Sequence, residues 1–377
     1  MSSLYSEIKF NSDGRDGLMG ELRAKVNTYF NQNNLSRKAN REMVVKTLVI
    51  LMLYVIPYFA IVFNAFTNAI IAFFSWIIMG IAMAGIGFII GHDANHGNYS
   101  TKKRVNKALS HLMILIGGSS LVWRIQHNVL HHVYTNIPEQ DEDLDVIPIL
   151  RFSPDQNRMK IHRYQHYYAW LLYGLFTSSW ATRKDFIKLS GYKSKDLLKT
   201  QNTKYIQALI FLIFSKTMYF IFFLGIPIAF SEQPWLFTIF GFLTMHIICG
   251  FIWSVTFQLS HKITEVSIDS PGKKGQINSN WAAHQLNTTA NFATDSKLIT
   301  WFTGGLNYQI EHHLFPDICH VHLRKISVLV KEITEKYDLP YYEKTFFGAI
   351  RSHQDFLIRL GSHDALETKL KINSSSV

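Results

Sequence analysis

Cysteine is nearly absent from this 377-residue chain. Cys249 and Cys319 are the only two, too few for a disulfide scaffold or a four-thiolate iron–sulfur cluster. Charge is scarce as well: Asp, Glu, Lys and Arg make up 17% of the residues, against roughly 25% in a soluble domain. A mean hydropathy of +0.05 averages long uncharged runs with strongly basic stretches. These deficits exclude a disordered chain, a collagen-like chain and an ordinary soluble domain. Residues 1–43 hold no apolar core of a signal peptide, and no internal repeat of useful period runs through the chain. Aromatic residues, at 14%, and seventeen histidines are what the sequence has in quantity.

Four apolar runs reach the length of about 20 residues that a bilayer-spanning helix needs. They cover Val45 to Phe66, Ala69 to Gly91, Tyr205 to Phe230 and Trp235 to Gln258. Short links, around Thr67 and from Ser231 to Pro234, join them into two expected hairpins. Leu112 to Trp123 is half a span. His166 to Trp180, aromatic-rich and flanked by Arg163 and Arg183, reads as a helix lying in the headgroup interface. Lys and Arg number 8 in residues 1–46, 16 in residues 91–204 and 13 after residue 261, leaving Lys216 alone in the interior of a run. The positive-inside preference then puts both termini and the central loop in the cytoplasm. A membrane-facing surface accounts for the net charge of +11, so no nucleic-acid partner is expected. Residues 321–361 read as two amphipathic helices broken near Leu339-Pro340.

Three histidine clusters stand just beyond the runs: His92-Asp-Ala-Asn-His96, His127-Asn-Val-Leu-His131-His132 and Gln309-Ile-Glu-His312-His313. Residues i and i+4 of a helix share a face, so His92 with His96, and His127 with His131, can each aim two imidazoles at one point. His132, about 100° around an α-helix, reaches a neighbouring point. With four spans, all three clusters fall on one side and can converge. His261, closing the fourth run, is the best further histidine at that depth, and His284 is a weaker metal candidate. His246, inside the fourth run, reads as a bundle-facing polar residue, and His353 and His363 as solvated. Eight imidazoles exceed what one zinc takes, so two metals fit better. No thiolate is near and no Glu-x-x-His occurs in the chain. A neutral nitrogen shell with open positions makes iron the natural metal for oxidising a hydrocarbon. The second nitrogen of each ring needs an acceptor, and Asp93, Asn95, Asn128, Glu311 and Asp143, within the acidic stretch from Asp141 to Asp145, are the candidates.

The order H-x3-H, H-x2-H-H, Q-x2-H-H, with the stretches GHDANHG, WRIQHNVLHHVYTN, QDEDLD and FTGGLNYQIEHHLFP, resembles the membrane fatty acid desaturase superfamily from residue 45 to about 325. The Gln that opens the third box is similar to the front-end branch and its bacterial relatives, the linoleoyl-CoA and acyl-lipid desaturases. The resemblance implies an all-α integral membrane protein, with four transmembrane helices in two hairpins and a cytoplasmic helical cap. Its domain organisation would be a cytoplasmic segment 1–43, a desaturase domain 44–361 with cap 92–204 and 259–361, and a flexible tail 362–377. It makes His92, His96, His127, His131, His132, His312 and His313 ligands of two irons, Gln309 a ligand or near-ligand, and favours His261 as the additional one. It implies an O2-dependent enzyme that places a cis double bond in a fatty acyl-CoA or acyl-lipid. The His-Pro-Gly-Gly haem motif of fused cytochrome b5 domains does not occur in this sequence. A separate donor, of ferredoxin or cytochrome b5 type, is therefore expected. The alternatives are a hydroxylase, ketolase or sphingolipid-type desaturase on the same scaffold, or a non-enzymatic metal-binding membrane protein.

Overall fold

The computed structural model describes residues 8–12, 17–66, 68–145, 147–272 and 275–362. Thr67, His363 and all but the first residue of the expected tail 362–377 therefore lie outside the described residues. The chain is mostly helical, and the sheet among the described residues is limited to two parallel pairs of two-residue strands. Among the described residues, four helices are long and apolar enough to cross a membrane: Arg41–Val62, Ala69–His96, Tyr205–Phe230 and Trp235–His261. They match the four runs of the sequence and extend two of them to a histidine.

Local chemistry sets their ends. The Asn40 side chain accepts from Met43 N at 3.0 Å and that of Asn68 from Ile70 N at 2.8 Å, satisfying N–H groups that have no partner within the helix. Large apolar side chains such as Ile56, Ile70, Ile210 and Phe240 lie on the outside, a surface that suits hydrocarbon rather than water. Several helices also contain π turns, including Ile86–Gly91 immediately before the first histidine box and Ile125–His131 through the second.

The chain divides into two compact units. One comprises residues 38–125 and 171–255. Here Phe88, Phe176 and Trp180 pack on Trp253, and the backbone at Gly87 lies so close that a Cβ there would run into the Trp253 indole. The G-x3-G pair of Gly87 and Gly91 is thus a close-packing feature. The half-span Leu112 to Trp123 is broken: helices Lys103–Ile116 and Ser120–Tyr134 turn by 109° at Gly117 and Gly118. An apolar cavity of about 520 Å³ lies among Tyr54, Tyr58, Leu115, Tyr219 and Phe223. The hydroxyls of Tyr54 and Tyr58 donate to the carbonyls of Leu115 and Phe222, and Tyr219 bonds His246, so the lining offers no free polar group from these tyrosines.

The other unit comprises residues 1–37, 126–170 and 256–377. Part of the stretch expected as a separate polar segment 1–43, the helix Leu18–Gln32, belongs to its core. Leu18, Leu22, Val26 and Phe30 recur every four residues along Leu18–Gln32, and all are buried against residues that include Leu314, Ile326 and Val330. Lys336 and Glu21 pair at 2.8 Å, and Lys25 pairs with Glu332. The expected amphipathic pair appears as Leu323–Lys336 and Phe346–Ser362. Arg151, fully buried, donates to the carbonyls of Leu360, Pro154 and Gln156 at 2.7–2.9 Å and holds the second of these helices.

Replacing Gly87 by Ala forces a methyl into the Trp253 contact, an overpacking that costs about 1–3 kcal/mol. The unfolding midpoint of the detergent-extracted protein should fall, and a midpoint equal to that of the parent would show that the contact relaxes freely.

Candidate metal centre

The first box lies in the unit of residues 38–125 and 171–255. There the expected i, i+4 geometry holds: His92 and His96 have ring centroids 4.7 Å apart, and Trp123 stands edge-on to both, at 5.5 and 5.6 Å. Asp93 Oδ1 is 3.6 Å from His92 Nδ1, a pairing longer than a hydrogen bond. Asn95 donates to Gly91 O at 2.8 Å and accepts from Ser120 Oγ at 2.8 Å.

The other two boxes and His261 lie in the second unit, and six imidazoles meet there. The ligand nitrogens of His131, His261 and His313 all lie within 4.8 Å of one another. Next to them His132 packs edge-on to His127 and His312, at 4.6 Å each, while His127 and His312 stack at 5.9 Å. His132 and His313 stack at 4.4 Å and join the two groups. The α-helical reading of the second box is corrected here. His127 and His132, five residues apart, bring their Nε2 atoms to 3.1 Å, whereas His131 turns to His261 and His313. The cause is the π turn over Ile125–His131, whose i→i+5 spacing puts i and i+5 on one face.

Each ring of the first group is oriented through Nδ1. His131 Nδ1–H donates to Asp141 at 3.1 Å, with Asp143 Oδ2 at 3.4 Å; His313 Nδ1–H donates to Gln285 Oε1 at 2.8 Å; His261 Nδ1–H donates to Thr288 O at 3.3 Å. An imidazole whose Nδ1 carries the proton presents a bare lone pair at Nε2. The Nε2 atoms of His131 and His261 are buried, and neither has a hydrogen-bond partner. The same is true of both amide atoms of Gln309. Burying such atoms without a partner is costly, and a metal ion removes the cost. The donor set therefore fits a first-row metal bound through neutral imidazoles, without thiolates.

Electrostatics support this arrangement. Burial alone lowers the pKa of His131, but the Asp141 carboxylate outweighs it and raises the value above the ordinary histidine range. Asp141, not only Asp143, is the carboxylate that matters: it also accepts from Asn136 N at 2.9 Å and is fully buried. Gln126 donates to Asp143 Oδ1. Three other expectations are corrected. Glu311 faces away from the rings and accepts from Asn291 and the Tyr341 hydroxyl, both at 2.9 Å, while burial pushes its carboxyl up to about 7. His284 has both ring nitrogens occupied, Nδ1 by Asp269 at 3.0 Å and Nε2 by Thr135 O at 2.8 Å, and so offers no atom to a metal. Asn128 is half-buried on the second-box helix. His353, expected in solvent, is buried, bonds Lys262 O at 2.6 Å, and has its pKa lowered by burial to about 4. His246 is a bundle-facing polar residue as expected, bonded to Tyr219 and Thr177 at 2.8 and 3.0 Å.

Gln285, Thr288 and Thr135 were not singled out from the sequence. Thr135 Oγ bonds Gln285 Oε1 at 2.9 Å and the His131 carbonyl at 2.7 Å, tying the amide that orients His313 to the backbone of the second box. A short stretch rich in buried polar residues, Trp281–Thr288, was the available signal.

Residues 68–345 match the family described as fatty acid desaturase. The chain belongs to the fatty acid desaturase family. It is 32% identical over 363 residues to the sn-1 linoleoyl-lipid 6-desaturase of Arthrospira platensis, covering 96% of each chain. It is 32% identical over 358 residues to the protein of the same description from Synechocystis sp., covering 94% of this chain and 98% of that one. It is 31% identical over 345 residues to the acyl-lipid (8-3)-desaturase of Physcomitrium patens, covering 90% of this chain and 71% of the moss protein. These relatives support the front-end branch, and the desaturase acts on fatty acyl chains as an oxidising enzyme. The hydroxylase, ketolase and metal-carrier alternatives find no support among them.

Replacing Asp141 by Asn keeps the side-chain shape but removes the charge that orients His131. Loss of such an outer partner lowers metal affinity about 10- to 100-fold. Metal analysis of purified Asp141→Asn should show this loss, and Asp143→Asn a smaller one; equal retention in both would remove the role given to Asp141.

Proposed function

We propose that this desaturase places a cis double bond at carbon 6 of a linoleoyl chain carried on a membrane lipid, using two irons. The observation that carries the metal reading is the pair of buried, partnerless Nε2 atoms on His131 and His261. In this reading His92, His96, His127, His131, His132, His261, His312 and His313 hold the irons, and Gln309 adds a neutral oxygen. The regiochemistry and the lipid carrier rest on the two cyanobacterial relatives, and acyl-CoA is the alternative carrier.

When bound, the iron pair supplies the two-electron chemistry that activates O2 and takes hydrogen from two adjacent methylene carbons. The protein's own work is positional. Methylene C–H bonds along an acyl chain differ little, so the bond that reacts is chosen by where the chain is held. Asp141, Gln285 and the Thr288 carbonyl keep three rings in one tautomer and one direction. Electrons come from a separate ferredoxin or cytochrome b5 type donor.

The membrane arrangement follows from charge. The four apolar helices span as two hairpins, and 37 of the 38 Lys and Arg residues stand on the cytoplasmic side with both termini and the active site. Residues 92–204 and 259–361 form the cap, within a desaturase domain of residues 44–361 joined by the Leu18–Gln32 helix. The acyl substrate then reaches the site from the cytoplasmic leaflet.

Expression in a host whose lipids contain linoleate but no 6-desaturated acids should give an 18-carbon triene with its new double bond at carbon 6. Mass spectrometry locates the bond. His131→Ala should abolish the product while the protein still inserts. A hydroxylated product, or a bond counted from the methyl end, would overturn the proposal. Purified protein should carry about two irons per chain and lose them below about pH 5, where imidazoles take up protons. Zinc alone, or full iron retention in acid, would contradict a histidine shell.

A further inference from the structure

Lys216 lies near the middle of the apolar helix Tyr205–Phe230, and the desaturation chemistry gives it no role. It is buried, and each proton of its ammonium has an acceptor: the Gly117 carbonyl, the Trp180 carbonyl at 2.8 Å and Asp185 Oδ2 at 2.7 Å. Asp185 is fully buried, and its other oxygen accepts from Trp180 Nε1 at 2.6 Å. The group is closed, with no atom left for a ligand or a proton path.

What the ammonium holds is a corner. Gly117 has φ +70°, and a Cβ on it would lie 2.7 Å from the Ala181 Cβ. A Cβ on Gly118 would lie 2.9 Å from the Trp180 indole. No other residue fits this left-handed, closely packed turn without strain. The helix Ser120–Arg124 starts two residues later, capped by Ser119. Each polar or aromatic side chain of that turn bears on the first histidine box. Trp123 stands edge-on to His92 and His96; Ser120 Oγ donates to Asn95 Oδ1; Arg124 donates to Ser120 Oγ at 2.7 Å and, more weakly, to Asn95 at 3.4 Å.

We propose that the Lys216–Asp185 pair is a positioning device for the first histidine box: by clamping the Gly117 carbonyl it fixes where the Ser120–Arg124 helix starts, and so where Trp123 holds the His92 and His96 rings. Lys216 and Asp185 are positioning residues, not catalytic ones. This rests on the reading of His92 and His96 as iron ligands. The alternative is that the ion pair merely compensates its own charges in an apolar setting. The two differ in one respect: charge compensation becomes unnecessary when both charges are removed, whereas the carbonyl clamp is lost with the ammonium.

The test uses four full-length proteins purified from membranes: Lys216→Met, the double variant Lys216→Met/Asp185→Leu, His92→Ala and the parent. Thermal midpoint, iron per chain, kcat and KM are measured on each. Lys216→Met should insert but lose stability, hold about half the parent's iron, and show kcat at least tenfold lower with KM within twofold. The double variant should recover part of the lost thermal midpoint while keeping the iron deficit and the low kcat. Recovery of iron and kcat together with stability would overturn the proposal, because the pair would then be self-compensating only. If Lys216→Met does not accumulate, the double variant alone decides by the same criterion. His92→Ala separates the two layers. Full iron in His92→Ala removes the ligand reading and this proposal with it. Iron loss in His92→Ala with full iron in the double variant removes this proposal alone.

Discussion

A buried imidazole must have something to bind at each nitrogen, and this requirement organises the second unit. Six rings pack there with centroids as close as 4.4 Å. A neutral imidazole has one proton and one lone pair, and two lone pairs cannot satisfy each other. Protonating the rings would set like charges in contact away from water, which costs more still. Where the Nδ1 protons of His131, His261 and His313 are already spent on Asp141, Thr288 O and Gln285, the arrangement suits a cation. In the proposed function the metal is a structural partner of these side chains as much as a reagent. The outer acceptors make this possible by fixing each ring's tautomer before any ion arrives.

Much of this was legible in the chain. Spans, box order and the i, i+4 convergence of His92 and His96 follow from periods of about 3.6 residues and from hydropathy. The second box was read wrongly in detail, because a π turn leaves no mark in local sequence; its wider spacing is set by packing around the segment, and it exchanges the partners of His131 and His132. Glu311 illustrates a different failure. Placed inside a box, it looked like an orienting group, yet residue 311 is two positions from both 309 and 313, which puts it on the opposite side of a helix. It turns to Asn291 and Tyr341 instead. Gln285 and Thr288 carry no motif: an amide and a carbonyl that orient imidazoles are indistinguishable in sequence from any other buried polar groups. The Leu18–Gln32 helix was visible as a four-residue repeat of Leu18, Leu22, Val26 and Phe30, but the polar character of the surrounding 43 residues masked it.

The apolar helices impose the complementary constraint. In hydrocarbon each polar group must be satisfied within the protein, so polar residues are kept there only where they connect elements. Lys216, His246 and the tyrosines of the apolar cavity follow this rule. Lys216 joins two backbone carbonyls and a carboxylate, His246 joins Tyr219 to Thr177, and the tyrosine hydroxyls of the apolar cavity are turned into backbone carbonyls. Glycine does the same work by contact: Gly87 admits the Trp253 indole and Gly118 the Trp180 indole, so that aromatic planes replace hydrogen bonds as the rigid spacers between helices.

Rigidity of this kind suits the chemistry. An enzyme acting on a carbonyl or a phosphate can recognise its target through charge. Successive methylenes of an acyl chain offer no such handle, and an error of one carbon, about 1.3 Å along an extended chain, gives a different product. Displacements on that scale are enough to cost two orders of magnitude in rate when reacting groups are held in place by the protein. Selectivity must therefore come from distances fixed by the fold, and the features that fix them are the ones that look least like catalysis: a π turn that redirects one ring, an amide that holds another, and a lysine inside the membrane that holds a corner of the backbone.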